Sequence, residues 1–316
     1  MTILDHTDGD SGIDRRALIA AGLGVAALAL SSGRSAAAAD AAANPMIPVP
    51  MPPQAPAKEG MAEIAGKRLY YWDTGGNGTP IVLMHPASGS AFIWGYQQPV
   101  LAQAGYRVIA YSRANYRNSD PVPQADPGFA SGDLGDLVTF LGISKFHAVA
   151  SAAGCSVTLD FALSHPERLL SMVLSSGAYG GIKEPDYTKV VSALKVKGLG
   201  DMPTFFKELG PSYRAANPNG TRAWADLEKS AKTGNGPNQK SAAKANWETL
   251  GALKVPTLFI AGDSDLDAPP SLMRIVAAHV PGGEFLAVPE SGHSVYWEQS
   301  DVFNRAVLDF VGRHSR

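Results

Sequence analysis

The side chains best suited to moving protons gather in two loops late in the sequence. Of seven histidines, His293 alone follows a strand-like run and stands in a glycine-containing loop, Glu290-Ser291-Gly292-His293-Ser294. An imidazole placed there can act as a general base near neutral pH if a carboxylate orients it. An earlier loop, Gly262-Asp263-Ser264-Asp265-Leu266-Asp267, offers three carboxylates. Asp263 and Asp267 also suit a plainer role, bonding their own backbone in a turn. A third segment, Ser151-Ala152-Ala153-Gly154-Cys155, joins an apolar run to a helical one through small residues. Cys155 there faces the helix interior and reads as a packed thiol. His165, in a helix-ending Ser-His-Pro, reads as structural.

These loops need a scaffold, and the chain is long enough to build one. With 316 residues, 45% hydrophobic and 18% charged, it accommodates one large α/β domain. A formal net charge of −2 gives no basic footprint for nucleic acid, so the expected partner is a small-molecule substrate. The single cysteine excludes an intrachain disulfide, and no Cys/His cluster has zinc-site spacing, so neither metal nor other cofactor is expected.

The ends of the chain differ in kind. Arg15-Arg16 opens an apolar run through Leu30, followed by the small residues Ser35-Ala36-Ala37-Ala38-Ala39. Residues 1–39 therefore read as a twin-arginine-type signal peptide, which implies a periplasmic or secreted protein. An apolar run of about 14 residues is short of the roughly 20 that span a bilayer, so no stable membrane anchor is expected. Residues 40–57, with Pro45, Pro48, Pro50, Pro52, Pro53 and Pro56, read as a stiff linker. The folded domain is expected over 58–316.

Short β-branched runs then alternate with longer amphipathic stretches, the pattern of a mostly parallel twisted sheet flanked by helices. Strands are expected at 68–72, 81–85, 107–111, 146–150, 172–176, 257–261 and 284–288. Helices are expected at 92–104, 131–141, 154–163, 272–280 and 298–313. Residues 178–254 hold no strand-like run, only helical patches at 187–197 and 221–232, and read as a helical lid. Within them Thr233-Gly234-Asn235-Gly236-Pro237-Asn238 reads as a mobile loop.

The segment 146–155 resembles the nucleophile elbow of the α/β-hydrolase family, G-x-S-x-G, where a strained strand-to-helix turn presents a serine. Here Ala150 and Gly154 occupy the small positions and Ala152 the nucleophile position, where no atom can attack. A register placing Ser151 at the centre is rejected, because it would put Val149 at a small position. The resemblance, which covers about 64–312, implies that Asp265 is the acid of a triad, with Asp267 its nearest rival, and that His293 is its histidine. It also implies an oxyanion hole from the N–H groups of Ala87 and Ala153, although Pro86 stands where glycine is usual. The loop 111–120 is similar to the family's S-R-R-G-Y-G-R-S segment, with Asn115 and Arg117 replacing glycines, so an altered path is expected there. His85, Ser88, Trp94, Arg113, Ser151, Tyr179 and Trp297 are the candidate pocket residues, with Phe205, Phe206 and Tyr213 as further contributors to a mostly apolar cavity.

Two origins for Ala152 stay open, a Ser→Ala knockout and a native alanine. The departures at Ala150, Pro86, Asn115 and Arg117 favour the second. A serine-less site excludes an acyl-enzyme but keeps a His-Asp base and an oxyanion hole. It suits hydrolysis of a small, largely apolar ester, lactone or related carbonyl substrate. The alternatives are a lyase or isomerase step through an enolate, and a non-catalytic ligand-binding protein.

Overall fold

The β-branched runs pair into one eight-stranded sheet in the computed structural model, which describes residues 47–177 and 181–315. Its strands are β1 (Lys58–Ile64), β2 (Lys67–Asp73), β3 (Pro80–Met84), β4 (Arg107–Tyr111), β5 (Phe146–Ser151), β6 (Leu169–Ser175), β7 (Thr257–Gly262) and β8 (Glu284–Val288). They lie in the order β1-β2-β4-β3-β5-β6-β7-β8. The pairs β1/β2 and β2/β4 are antiparallel and the remainder parallel. Parallel neighbours need crossovers, and the crossovers here are helices: α1 (Gln98–Gln103), α2 (Ala130–Phe140) and α3 (Ala153–Ser164). After β6 the chain makes an excursion through α4 (Pro185–Leu194), α5 (Thr204–Glu208), α6 (Pro211–Ala216), α7 (Pro218–Lys229) and α8 (Trp247–Gly251). It closes with α9 (Pro270–His279), α10 (Val295–Glu298) and α11 (Ser300–Arg313).

Helices cover both faces, so the central strands are apolar throughout rather than alternating. Val82, Ile109, Ala148, Met172 and Phe259 pack on one face, and Ile81, Leu83, Val149, Val173 and Ile260 on the other. This two-sided burial fixes register, since a one-residue slip would exchange the two faces. Among the described residues no helix is long and apolar enough to cross a membrane.

Three expectations are refined or corrected. Residues 40–57 read as a stiff linker, and their described part, from Ile47 onward, lies against the domain. Tyr96 Oη donates to Val49 O, Gln54 Nε2 to Gly95 O, and Gln98 exchanges hydrogen bonds with both backbone groups of Ala55. Polar groups of the domain satisfy the proline-rich backbone, and a free linker would leave it to water. The helix expected at 92–104 divides into a 3₁₀ turn at Ala91–Trp94 and α1, with Pro99 within the first turn of α1. The loop 233–238 is tied down. Asn115 accepts at Oδ1 from Val122 N and Gly236 N, donates from Nδ2 to Gly236 O and Pro237 O, and accepts Thr233 N and Gly234 N at its carbonyl. Asn115 does so at φ 74°, the left-handed conformation glycine favours and asparagine tolerates. The signal-peptide assignment and Tyr179 lie outside the described residues.

Candidate active site

The strand order sets the C-terminal ends of β3, β5, β6, β7 and β8 side by side, where open α/β sheets bind their ligands. Between β5 and α3 a single residue, Ala152, makes the turn, at φ 49° and ψ −115°. A residue with a Cβ resists positive φ, at a cost of about 1–3 kcal/mol. Its surroundings hold it there: Ala152 N–H donates to Ser175 O at 2.8 Å, and its carbonyl accepts Cys155 N–H at 2.9 Å. The flanking glycines are required by contact. A Cβ on Gly154 would lie 2.3 Å from Met84 O, and one on Gly177 2.4 Å from Ala152 O. Ala150 needs no such allowance and is simply buried in the sheet face. Ser151 is the last residue of β5, fully buried opposite Ser175, so it belongs to the sheet and not to a pocket. Cys155 is buried, donates its thiol to Ser175 O at 3.2 Å, and is pushed upward in pKa by burial.

The loops after β7 and β8 bring the acid and the imidazole together. His293 Nδ1 donates to Asp265 Oδ2 at 2.8 Å, and both residues are buried. Asp265 Oδ1 accepts the N–H groups of Asp267 and Ala268, which fixes the carboxylate in its plane. The rival carboxylate stands on the other side of the ring, with Asp267 Oδ2 3.9 Å from Nε2. Burial pulls the His293 pKa down, but Asp265, Glu208 and Asp267 outweigh it and raise it to about 10.

Two glutamates complete this environment, and sequence motifs pointed to neither. Glu208, at the end of α5, accepts Ser88 Oγ–H at 2.6 Å, and its backbone carbonyl accepts Ser294 N–H. Its pKa is raised by burial, with His293 and Ser88 opposing the shift. Glu298 is buried and accepts the N–H groups of Gly210, Gly292 and Ser294. It thus joins the α5–α6 junction to the histidine loop. Burial raises its pKa to about 7 against the pull of those three N–H groups. A folded pKa above the unfolded value means that the native state holds extra protons, so stability falls as pH rises through the interval. Glu298 acts between about 4.5 and 7, and His293 from about 6.5 to 10. Chemical denaturation across this range is expected to show declining stability, with Glu298→Gln flattening the acid part by about 3 kcal/mol. An unaltered slope between pH 4.5 and 7 in that variant would count against the assignment.

The loop after β3 is braced by Arg113. His85 Nδ1 donates to Pro86 O at 2.7 Å, leaving Nε2 to accept Arg113 N–H at 3.0 Å, and Arg113 Nη2 reaches the carbonyls of His85 and Pro86. Burial, with the Arg113 charge beside it, keeps His85 neutral. Pro86 therefore serves the loop through its carbonyl. Ala87 and Ala153 line one cavity of about 340 Å³, and as the first residue of α3 Ala153 has an N–H without a helical partner. The cavity wall mixes Arg113, Lys232, Gln239 and Lys240 with the apolar Ala114, Val122, Ala130 and Val157. A second, of about 240 Å³, is lined by Glu208, Asp267 and the apolar Val191, Leu194, Leu266 and Leu272.

The aromatic pocket expected from the sequence is corrected. Trp94 packs against Tyr296 with ring centroids 5.0 Å apart, and Trp297 against Tyr96 at 5.2 Å. Both indoles, Trp297 within α10 itself, are buried in one core cluster with Tyr213, and Trp94 also lines a separate cavity with Tyr70, Trp72 and Phe92. His85 likewise supports the loop from inside. Arg117 stacks its guanidinium 4.2 Å above Phe92 and does not line the cavity. Among the described residues no group of His, Cys, Asp and Glu is placed to hold a metal ion.

A family model described as the alpha/beta hydrolase fold matches residues 79–300. The chain belongs to the α/β-hydrolase family. A 2-hydroxy-6-oxononadienedioate/2-hydroxy-6-oxononatrienedioate hydrolase from Paraburkholderia phymatum is 28% identical over 272 residues, which is 78% of this chain and 91% of the relative. Among solved structures, an esterase from Thermogutta terrifontis has a TM-score of 0.67 at 22% identity, covering 83% of this chain and all of the esterase. An enol-lactonase from Burkholderia xenovorans has a TM-score of 0.63 at 21% identity, covering 80% of this chain and all of the lactonase. The protein is thus an α/β-hydrolase whose named relatives are hydrolases. In this hydrolase the elbow turn is present in full, and the residue at its apex is alanine.

Proposed function

We propose that this α/β-hydrolase cleaves a small carbonyl compound, an ester, a lactone or an oxo-acid, by direct attack of water, with no acyl-enzyme. The observation that carries this reading is the buried Asp265–His293 pair, kept at 2.8 Å in a site whose elbow residue is Ala152. A protein that only binds its ligand has no need of an oriented imidazole. The N–H groups of Ala87 and Ala153 supply the oxyanion donors, and the charge that develops on the carbonyl oxygen is also favoured by the N-terminus of α3.

The substrate carries an anionic end. Arg113, Lys232 and Lys240 line the cavity that holds both oxyanion donors, against one carboxylate, Asp160, already engaged by Ser131 Oγ and the N–H groups of Ala242 and Ala243. The dienedioate in the relatives' name supports the same chemistry. On this reading the substrate is anionic at the first cavity and apolar toward the second. The excursion from α4 to α8 serves as the lid, and the Arg15-Arg16 leader directs the folded enzyme out of the cytoplasm.

The direct test is pre-steady-state hydrolysis of p-nitrophenyl acetate and of an enol-lactone bearing a carboxylate. The wild type is expected to turn over without a burst, to prefer the carboxylated probe, and to lose activity in His293→Ala. Ala152→Ser is expected to introduce a burst as an acyl-enzyme accumulates. Absence of wild-type turnover on either probe, or equal activity in His293→Ala, would overturn the reading.

A further inference from the structure

Resting on this hydrolase reading, we propose that Glu208 is the catalytic base that deprotonates the attacking water, and that His293 is the acid that protonates the leaving group. In a site without a serine the imidazole has no hydroxyl to activate, and the surroundings of His293 favour its charged form. Asp265 faces the ring from the loop after β7 at Nδ1, Asp267 from the same loop on the Nε2 side, and Glu208 from α5. An imidazolium inside that arrangement is a proton donor. It holds its proton to about pH 10, so the neutral form that a base requires is scarce under ordinary conditions.

Glu208 is the carboxylate placed to take the other role. Ser88 Oγ–H donates to its Oε2 at 2.6 Å, which ties it to the residue that follows the oxyanion donor Ala87. Ser294 N–H donates to its backbone carbonyl, which ties it to the residue that follows His293. Its side chain is thus anchored on the loop that carries Ala87 and its backbone on the loop that carries His293. Lys195 and Lys207 line the second cavity with it, and Asp267 faces the same cavity. Burial raises its pKa, which makes its carboxylate a stronger base than an exposed one. Asp267 is the weaker candidate, since its side chain is 53% exposed and its backbone N–H is spent on Asp265.

The proton inventory closes. Glu208 takes one proton from water while the remaining hydroxide forms the new C–O bond, and the carbonyl electron pair moves to the oxygen held by Ala87 and Ala153. Collapse of that oxyanion breaks the bond to the leaving group, which takes the proton from His293 Nε2. Transfer of the proton from Glu208 to His293 restores both groups.

The experiment is the pH dependence of kcat/KM for a carboxylated enol-lactone, measured on wild type, Glu208→Gln, Glu208→Asp and Asp267→Asn. The wild type is expected to show an acid limb from a carboxylate and a fall only at high pH as His293 loses its proton. Glu208→Gln is expected to lose about 10²-fold or more, together with the acid limb, and Glu208→Asp to recover part of both. Activity that instead rises with the deprotonation of His293, Glu208→Gln within threefold of wild type, or transfer of the acid limb to Asp267→Asn, would each overturn the proposal while leaving the hydrolase reading intact. Nitrogen NMR of His293 provides a readout that needs no turnover. The imidazolium is expected at pH 7 in the wild type, with a lower titration point in Glu208→Gln, and a neutral ring at pH 7 would overturn the assignment.

Discussion

Asp265→Asn is expected to lower kcat/KM by about 10⁴-fold, with KM nearly unchanged. The carboxamide can still accept the N–H groups of Asp267 and Ala268 through its oxygen, so the loop after β7 keeps its shape. Its nitrogen then faces His293 Nδ1 as a donor. That inverts the hydrogen bond seen at 2.8 Å, forces the proton from Nδ1, and removes the charge that holds the ring as an imidazolium. The substrate contacts proposed for Ala87, Ala153 and Arg113 lie elsewhere, so binding is expected to be preserved and the chemical step to carry the loss. Steady-state kinetics beside circular dichroism would decide it. A variant that folds and retains more than about a tenth of wild-type kcat would show that the Asp265–His293 pair is not part of the reaction.

Gly154→Val is expected to abolish the native fold, and Gly154→Ala to destabilise it by about 3 kcal/mol. A Cβ at this position lies 2.3 Å from Met84 O, 2.8 Å from Met84 C and 2.9 Å from His85 O. All three are backbone atoms of β3 and the loop after it, paired in the sheet and braced by Arg113, so none can yield as a flexible side-chain tip would. Relief requires α3 to move away from β3, and that movement withdraws Ala153 from Ala87. The two effects separate by measurement: the urea midpoint reports the packing, and residual activity in Gly154→Ala reports the oxyanion geometry. A midpoint within experimental error of wild type in Gly154→Ala would show that the close approach is not enforced.

What could be read before the structure was what rests on local pattern. Strands buried on both faces are continuous apolar runs, and β3, β4, β5, β7 and β8 fall within a residue of their expected bounds. β1 went unseen because it is an edge strand, Lys-Glu-Gly-Met-Ala-Glu-Ile, with little buried beyond Ala62 and Ile64. β6 begins three residues earlier than expected, because Leu169 directly follows a 3₁₀ turn and Ser171 breaks up its apolar start. Asp265 and His293 were legible through the loops that carry them. Trp94 and Trp297 were misplaced because aromatic composition does not distinguish a site wall from a core. Glu208 and Glu298 had no motif at all. Their roles depend on the path of the α4–α8 excursion, which is decided by tertiary contacts such as the clamp of Asn115 on residues 233–237.

The carboxylate of Glu298 has a bearing on how this enzyme can diversify. Because it accepts Gly210 N–H on one side and Gly292 and Ser294 N–H on the other, the excursion and the histidine loop share one buried carboxyl group. A graft of a foreign segment between β6 and β7 would strand that carboxyl group unless it reproduced the donor at Gly210. Gly292, in turn, has no room for a Cβ, which would meet Gly210 N at 2.5 Å. The unit of inheritance for substrate range is therefore larger than the loop that touches substrate: residues near 210 and 290–298 must change together or stay together, and homologous exchange of the cap alone is a dead end.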